Sequence, residues 1–260
     1  MTQVDGNTTV QGDIKLNYQS DIYTPPPVVY LRMNEGTATT AADSSNAGNS
    51  LDGTLGGTAS WSTEFKNGPY AVEFDGDSDY IDMDNDTALA PSTAFSISYW
   101  VRANSFTGYT RMVSKYPTGA GSPSYSYTIL TGNGTGQVRF FVMQASEVGG
   151  GTVVMTDSAE LTVDTWHHVV CTYSGANTRM RVYVDGTLKD ITLTGTVPSS
   201  INQGTAKLSL GANLAGSIGA RQYWDGYMDE FSLWNVELTA NQISYLYGNG
   251  VPPNVSVGIP

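Results

Sequence analysis

The stretch Tyr223–Tyr247, YWDGYMDEFSLWNVELTANQISYLY, decides the fold. In its first half Trp224, Tyr227, Met228, Phe231, Leu233 and Trp234 are interleaved with Asp225, Asp229, Glu230 and Ser232, the texture of a strand that is apolar on both faces. The second half carries helix signals. Thr239 is a strong N-cap, Gln242 three residues later closes a capping box, and Leu238 stands where it can staple onto Ile243. Gly248 is expected to stop the helix. Asp229, a carboxylate in the middle of a two-sided strand, is the residue with most to explain.

The rest of the chain suits such a strand. Its 260 residues carry 12 Lys and Arg against 24 Asp and Glu, so a phosphate backbone is repelled and nucleic acid is excluded as a partner. Charged residues make up only 14%, and Gly, Ser, Thr, Asn and Tyr are abundant, as in β-rich proteins with many turns. Met1–Leu16 has neither a basic nor an apolar signal region, so no signal peptide is expected, and no apolar run reaches the length needed for membrane insertion. The single cysteine, Cys171, rules out an internal disulfide and reads as a buried thiol in a strand with Val169, Val170 and Tyr173. Asn-x-Ser/Thr sequons at Asn7, Asn85, Asn133 and Asn254 read as polar loop chemistry.

Three segments are expected: an N-terminal anchoring arm with a polyproline linker over 1–27, a β body over 28–250 and a tail over 251–260. The arm contains a six-residue repeat, Val4-Asp5-Gly6-Asn7-Thr8-Thr9 followed by Val10-Gln11-Gly12-Asp13-Ile14-Lys15. Two copies cannot bury a core, so the arm must pack on a partner assembly or on copies of itself. The segment resembles glycine-punctuated arms of phage tail and fibre proteins. Pro25-Pro26-Pro27 reads as a stiff spacer. In the body, strands are expected at Phe95–Arg102, Val138–Met143, Trp166–Tyr173, Met180–Val184 and Lys207–Leu210, with Asp185-Gly186 as a hairpin turn. Several are apolar on both faces, so each needs a sheet on one side and loops or a partner on the other.

Five ordered blocks resemble the concanavalin A-like lectin/glucanase superfamily, in its laminin-G-like jelly-roll form. They are Tyr30-Leu31 with Asn34-Glu35-Gly36, Ala42-Asp43-Ser44-Ser45 and Leu51-Asp52-Gly53; Val72–Gly76 with Asp79-Tyr80-Ile81; Phe95–Val101; Trp166–Val169 leading to Val182–Gly186; and Gly226–Phe231 with Leu238-Thr239 and Ile243. The resemblance implies an all-β, antiparallel jelly-roll β-sandwich with one short C-terminal helix. It leaves function open, because the superfamily includes lectins, adhesion domains, glycosidases and purely structural domains.

Catalysis is disfavoured by the residues themselves. The related glucanases carry Glu-x-Asp-x-x-Glu or Glu-x-Asp-x-Glu on one strand; Asp229, Glu230 and Glu237 do not fit, and Glu73 with Asp75 lacks the second Glu. His167 and His168 have no nucleophile elbow nearby and too few companions for zinc. Calcium fits better: the loop Asp43–Asn49 is rich in oxygen donors, and the resemblance implies a structural ion held by Asp43, Asn46 and Asn49 with Asp229 from the final strand. Without an ion, Asp43 would cap the Ser-Ser-Asn turn and Asp229 would accept N–H bonds from that loop. The run Asp75, Asp77, Asp79, Asp82, Asp84, Asp86 is no EF-hand, since Tyr80 stands where the glycine is required. Glycan binding needs exposed aromatics, for which Tyr109, Tyr116, Tyr125, Tyr127, Tyr223 and Trp224 are the candidates.

The expected protein is a non-enzymatic carbohydrate-binding or adhesion module on a virion surface, extracellular after lysis. As a decoration, fibre or spike protein it would contact host-surface glycans and meet capsid or tail proteins through residues 1–27, with room for a homo-oligomer such as a trimer. The rivals are a purely structural capsid or tail protein, and a glycoside hydrolase or secreted lectin.

Overall fold

The computed structural model describes residues 24–48, 50–116, 126–144, 151–214 and 222–249. The repeat arm, Asn49 and Tyr125 lie outside them. The strands are β1 (Val29–Leu31), β2 (Thr40–Ala41), β3 (Gly53–Gly56), β4 (Ser60–Ser62), β5 (Ala71–Asp75), β6 (Tyr80–Asp82) and β7 (Ala94–Ala103). Then follow β8 (Arg111–Lys115), β9 (Tyr127–Gly132), β10 (Thr135–Val142), β11 (Thr152–Thr156), β12 (Trp166–Ser174) and β13 (Arg179–Val184). The chain closes with β14 (Thr187–Leu188), β15 (Ile191–Thr194), β16 (Ser209–Leu210), β17 (Asp225–Trp234) and helix α1 (Ala240–Asn249).

Two antiparallel sheets face each other as the jelly-roll resemblance implied. Sheet A has the order β14-β13-β12-β7-β17-β5-β4, with β1 also paired to β17; sheet B has the order β15-β11-β10-β9-β8-β16-β6-β3-β2. The period-two pattern sorts side chains between core and outer face. From β7, Phe95, Ile97, Tyr99 and Val101 enter the core; from β10, Val138, Phe140 and Val142 do the same. Phe95 is the aromatic hub, with ring centroids 5.0 Å from Tyr127, 5.8 Å from Phe140 and 5.5 Å from Tyr173. The two tyrosines stay buried because their hydroxyls donate to carbonyls, Tyr127 to Leu89 and Tyr173 to Pro198, each at 2.7 Å. Cys171 is fully buried in β12, as expected, and burial pushes its thiol up.

Strands apolar on both faces need a cover outside sheet A, and α1 supplies it. Leu238, Ile243 and Leu246 pack on Val170, Tyr183 and Trp234, while Tyr247 stacks on Trp100 at 5.6 Å. Trp100, which interrupts the polar face of β7, therefore sits beneath the helix, with the Lys66 ammonium 4.1 Å from its ring centre. The capping box forms in both directions: Thr239 N donates to Gln242 Oε1 at 2.8 Å and Gln242 N to Thr239 Oγ1 at 3.3 Å. The expected stop at Gly248 is corrected, since the helix runs one residue further to Asn249, whose side chain donates to the Tyr245 carbonyl at 2.9 Å. The Asp185-Gly186 hairpin forms as read, with φ of 52° and 73°, both left-handed as a type I′ turn requires. The polyproline segment is not a free spacer: Pro27 is buried, and Trp234 Nε1 donates to the Pro25 carbonyl at 2.9 Å.

β17 pairs with β7, β5 and β1 and carries a β-bulge. Asp229 is opposite Trp100 and Ser232 opposite Ser98, so Glu230 and Phe231 together face one residue of β7. Glu230 adopts φ of 57° to make this possible. Strict alternation would aim Glu230 into the core; the bulge turns it out beside Asp229. Thr239→Ala should lower stability by about 1 kcal/mol and Phe95→Ala by about 3–5 kcal/mol, read as shifts in the urea midpoint.

Candidate functional site

The Asp43 loop is closed on itself. Asp43 Oδ1 accepts N–H bonds from Tyr30 at 3.0 Å and Ser45 at 2.8 Å; Oδ2 accepts from Ser45 Oγ at 3.0 Å and Leu51 N at 3.3 Å. Asn46 is exposed beside it. Asp229 belongs to another loop: its Oδ2 accepts from Lys66 N at 3.0 Å and Asn67 N at 2.8 Å. Asp43 and Asp229 thus bond to different stretches of backbone, Asn49 lies outside the described residues, and among the described residues no group of three or more His, Cys, Asp or Glu could hold a metal. The tie between the first and last parts of the domain runs instead through Tyr30. Its backbone N–H meets Asp43, and its hydroxyl donates to Glu230 Oε2.

Asp229 and Glu230 are a buried carboxyl pair, 0% and 4% exposed, and one oxygen of each, Asp229 Oδ1 and Glu230 Oε1, has no hydrogen-bond partner. Burial raises Asp229, against backbone N–H bonds from Asn67, Lys66 and Glu230 and the charge of Arg32. Burial also raises Glu230, with the adjacent Asp229 adding to the rise.

The histidines have structural surroundings. His167 Nδ1 pairs with Asp185 Oδ2 at 2.8 Å, and His168 Nε2 with Ser98 Oγ at 2.8 Å. Ser98 and His168 are both buried, and Tyr247 of α1 stacks over the His168 ring. Burial lowers His168 to about 3, so it is neutral. In the aspartate run, Asp79 is buried and accepts from Thr58 N at 2.6 Å and Asp75 N at 2.9 Å, which builds a turn. Asp82, Asp84 and Asp86 line an open groove shared with Lys207, whose ammonium bonds Asp82 at 2.7 Å.

The aromatic candidates divide. Tyr127 and Trp224 are both 0% exposed and belong to the core, which corrects their expected role; neither can stack on a ligand. Tyr223 is half-buried and is not part of the lining of the cleft on sheet B. Tyr109 and Tyr116 meet on the outer face of sheet B, at a cleft of about 140 Å³ lined also by Arg111, Thr128, Leu130, Arg139, Phe141 and Gln222. Arg139 and Phe141 point outward because Val138, Phe140 and Val142 take the core positions of β10. The Arg139 guanidinium carbon lies 5.0 Å from the Tyr109 ring centre and 5.1 Å from that of Phe141, and Arg111 lies 5.1 Å from that of Tyr116. Arg111 is held by Nε donating to Gln222 Oε1 and by NH1 donating to Thr128 Oγ1, both at 2.8 Å. Gln222 reaches it from a left-handed backbone, φ 54°. Arg111, Arg139, Phe141 and Gln222 went unread in the sequence, although the Arg139-Phe140-Phe141 alternation on a strand places Arg139 and Phe141 on one face.

Two facing antiparallel sheets closed by one short helix make a lectin-like β-sandwich. Residues 75–244 match a laminin G family model described as concanavalin A-like lectin/glucanases superfamily, and the chain belongs to that superfamily. A search of curated proteins finds no match. Among solved structures, the receptor-binding domain of botulinum neurotoxin C/D mosaic serotype superposes with a TM-score of 0.63 at 13% identity, covering 86% of this chain and 51% of that one. The chain thus spans about half the length of the neurotoxin binding domains it matches. Domain 4 of a GH43 extracellular arabinanase from Geobacillus stearothermophilus, solved with arabinotriose, superposes with a TM-score of 0.60 at 20% identity, covering 85% and 98% of the two chains. The binding domain of botulinum neurotoxin DC, solved with rat synaptotagmin II, gives 0.60 at 14% identity, covering 86% and 51%. At these identities the likeness is one of fold.

Carboxyls raised by burial keep protons in the folded state that the unfolded chain has released. Stability should therefore fall as pH rises from about 4 to about 8, and Asp229→Asn should flatten that slope in urea titrations across the range.

Proposed function

We propose that this protein is a non-enzymatic carbohydrate-binding module whose sugar site is the Tyr109–Phe141 cleft on sheet B. The observation that carries this reading is the cleft itself, where aromatic rings and fixed hydrogen-bonding groups converge on an outer sheet face that no helix covers among the described residues. The lack of a glucanase carboxylate motif and the burial of the Ser98–His168 pair beneath α1 support binding rather than hydrolysis. Tyr109→Ala and Phe141→Ala should each weaken binding on a glycan array by about tenfold or more while the melting temperature stays near that of the parent. Reducing-sugar release from a polysaccharide would overturn the non-enzymatic reading.

The setting we propose is a virion surface, with the module contacting host glycans and residues 1–27 meeting capsid or tail proteins. Its support is the glycine-punctuated repeat of residues 4–15. A purely structural role in the particle is the alternative outcome: a blank glycan array with stable incorporation into particles. Deleting residues 1–23, which leaves the docked Pro25–Pro27 segment in place, should abolish incorporation; unchanged incorporation would remove the anchor from the proposal.

Calcium enters this proposal through Asp229 and Glu230 rather than Asp43, because these two adjacent carboxylates each keep an unfilled buried oxygen, whereas Glu35, which also has one, stands apart from any second such group. A hard cation supplies the charge that burial otherwise replaces with protons. Added calcium should raise the melting temperature at about pH 8, where the pair is costliest, and do less at about pH 5; a chelator should reverse the gain. No calcium effect at either pH would leave the pair to protons alone.

A further inference from the structure

The cleft on sheet B holds two arginines that the fold leaves without an anion. Arg111 and Arg139 stand on one cross-strand row, each in register with Leu130 between them on β9. Two strand spacings separate their backbones by about 10 Å. Among the described residues neither guanidinium has a carboxylate partner, although the chain has twice as many acidic as basic residues. Arg111 is only 9% exposed, and Arg139 Nε is buried with no hydrogen-bond acceptor. A buried cation without a counter-charge is costly unless something else supplies the anion.

Both side chains are also fixed in place before any ligand arrives. Gln222 and Thr128 hold Arg111 from two sides, and Tyr109 and Phe141 flank Arg139. Such fixation lowers the ordering cost of binding, and the planar guanidinium fork matches a carboxylate or sulfate.

We propose that this cleft selects acidic sugars, with Arg111 and Arg139 receiving the carboxylate or sulfate of a single anionic sugar unit. The inference rests on the reading of the cleft as a sugar site and adds the class of sugar. The shared chemistry is the anionic group, which uronic acids, sialic acids and sulfated sugars all carry.

The test uses the full chain and pairs of probes that differ only in the acid: galacturonic acid against galactose, sialyllactose against its carboxyl methyl ester, and galactose sulfate against galactose. Calorimetric titration at low salt should give the acidic member of at least one pair an affinity about tenfold higher. Which pair responds identifies carboxylate or sulfate. Arg139→Gln should erase that preference, and Arg139→Lys should keep only part of it. In the unmutated protein, the Arg139 Nε–H resonance should shift with the acidic probe and not with its neutral twin, so the test does not depend on either variant folding. Equal affinity within every pair would overturn the acid preference and leave the sugar reading standing. Acid-selective binding that leaves the Arg139 resonance unmoved would place the acid elsewhere and also overturn it. Binding by no member of any pair would remove the sugar reading and this inference together.

Discussion

Two carboxyl groups buried side by side on the most central strand constrain the rest of this structure. β17 must satisfy β7, β5 and β1 at once, and its bulge places Asp229 and Glu230 on the same outer face. Acidic side chains that are out of water need donors. The backbone of residues 66–67 turns inward to supply two to Asp229, and the Tyr30 hydroxyl supplies one to Glu230. The loop drawn in this way carries Lys66 onto Trp100, and Leu238 together with Ile243 and Leu246 of α1 closes the remaining apolar surface. The cover of sheet A follows from these needs.

Sheet B has a different outer face. β10 keeps Val138, Phe140 and Val142 for the core, and its outward Arg139 and Phe141 stay half-buried against neighbouring side chains. One sheet is closed by its own helix and loop, while the other presents aromatic rings and guanidinium groups. This division lets one fold hold a tightly packed sandwich and still keep a recognition face.

The strands were legible in the sequence because alternation is a local signal: β7, β10, β12 and β13 fall within a few residues of their apolar runs, and the Thr239–Gln242 capping box formed as read. The bulge was not legible. Asp229-Glu230 reads as ordinary alternation, and only pairing with β7 reveals the extra residue. Burial of Tyr127 and Trp224 was equally hidden, since an aromatic beside a loop has the same letter whether it faces water or the core. Tyr109 and Tyr116 were found, but Arg139 comes from a strand read only for its apolar members and Arg111 from β8, a stretch not read as a strand. The cleft is a property of register across three strands, which no single segment encodes.

The bond between Tyr30 and Glu230 joins residues 200 positions apart, and β1 finds its strand partner in β17, its local contact being the bridge of Leu31 to Asp43. Such a pairing gives the fold a high contact order and a slow search, on the order of milliseconds to seconds. During synthesis the first strand waits until nearly the whole body has left the ribosome, at about 5–20 residues per second. For that interval of roughly ten seconds or more β1 has its bridge to the Asp43 loop but no strand beside it, which makes the vectorial order of synthesis a hazard that sheet A resolves only at its last strand.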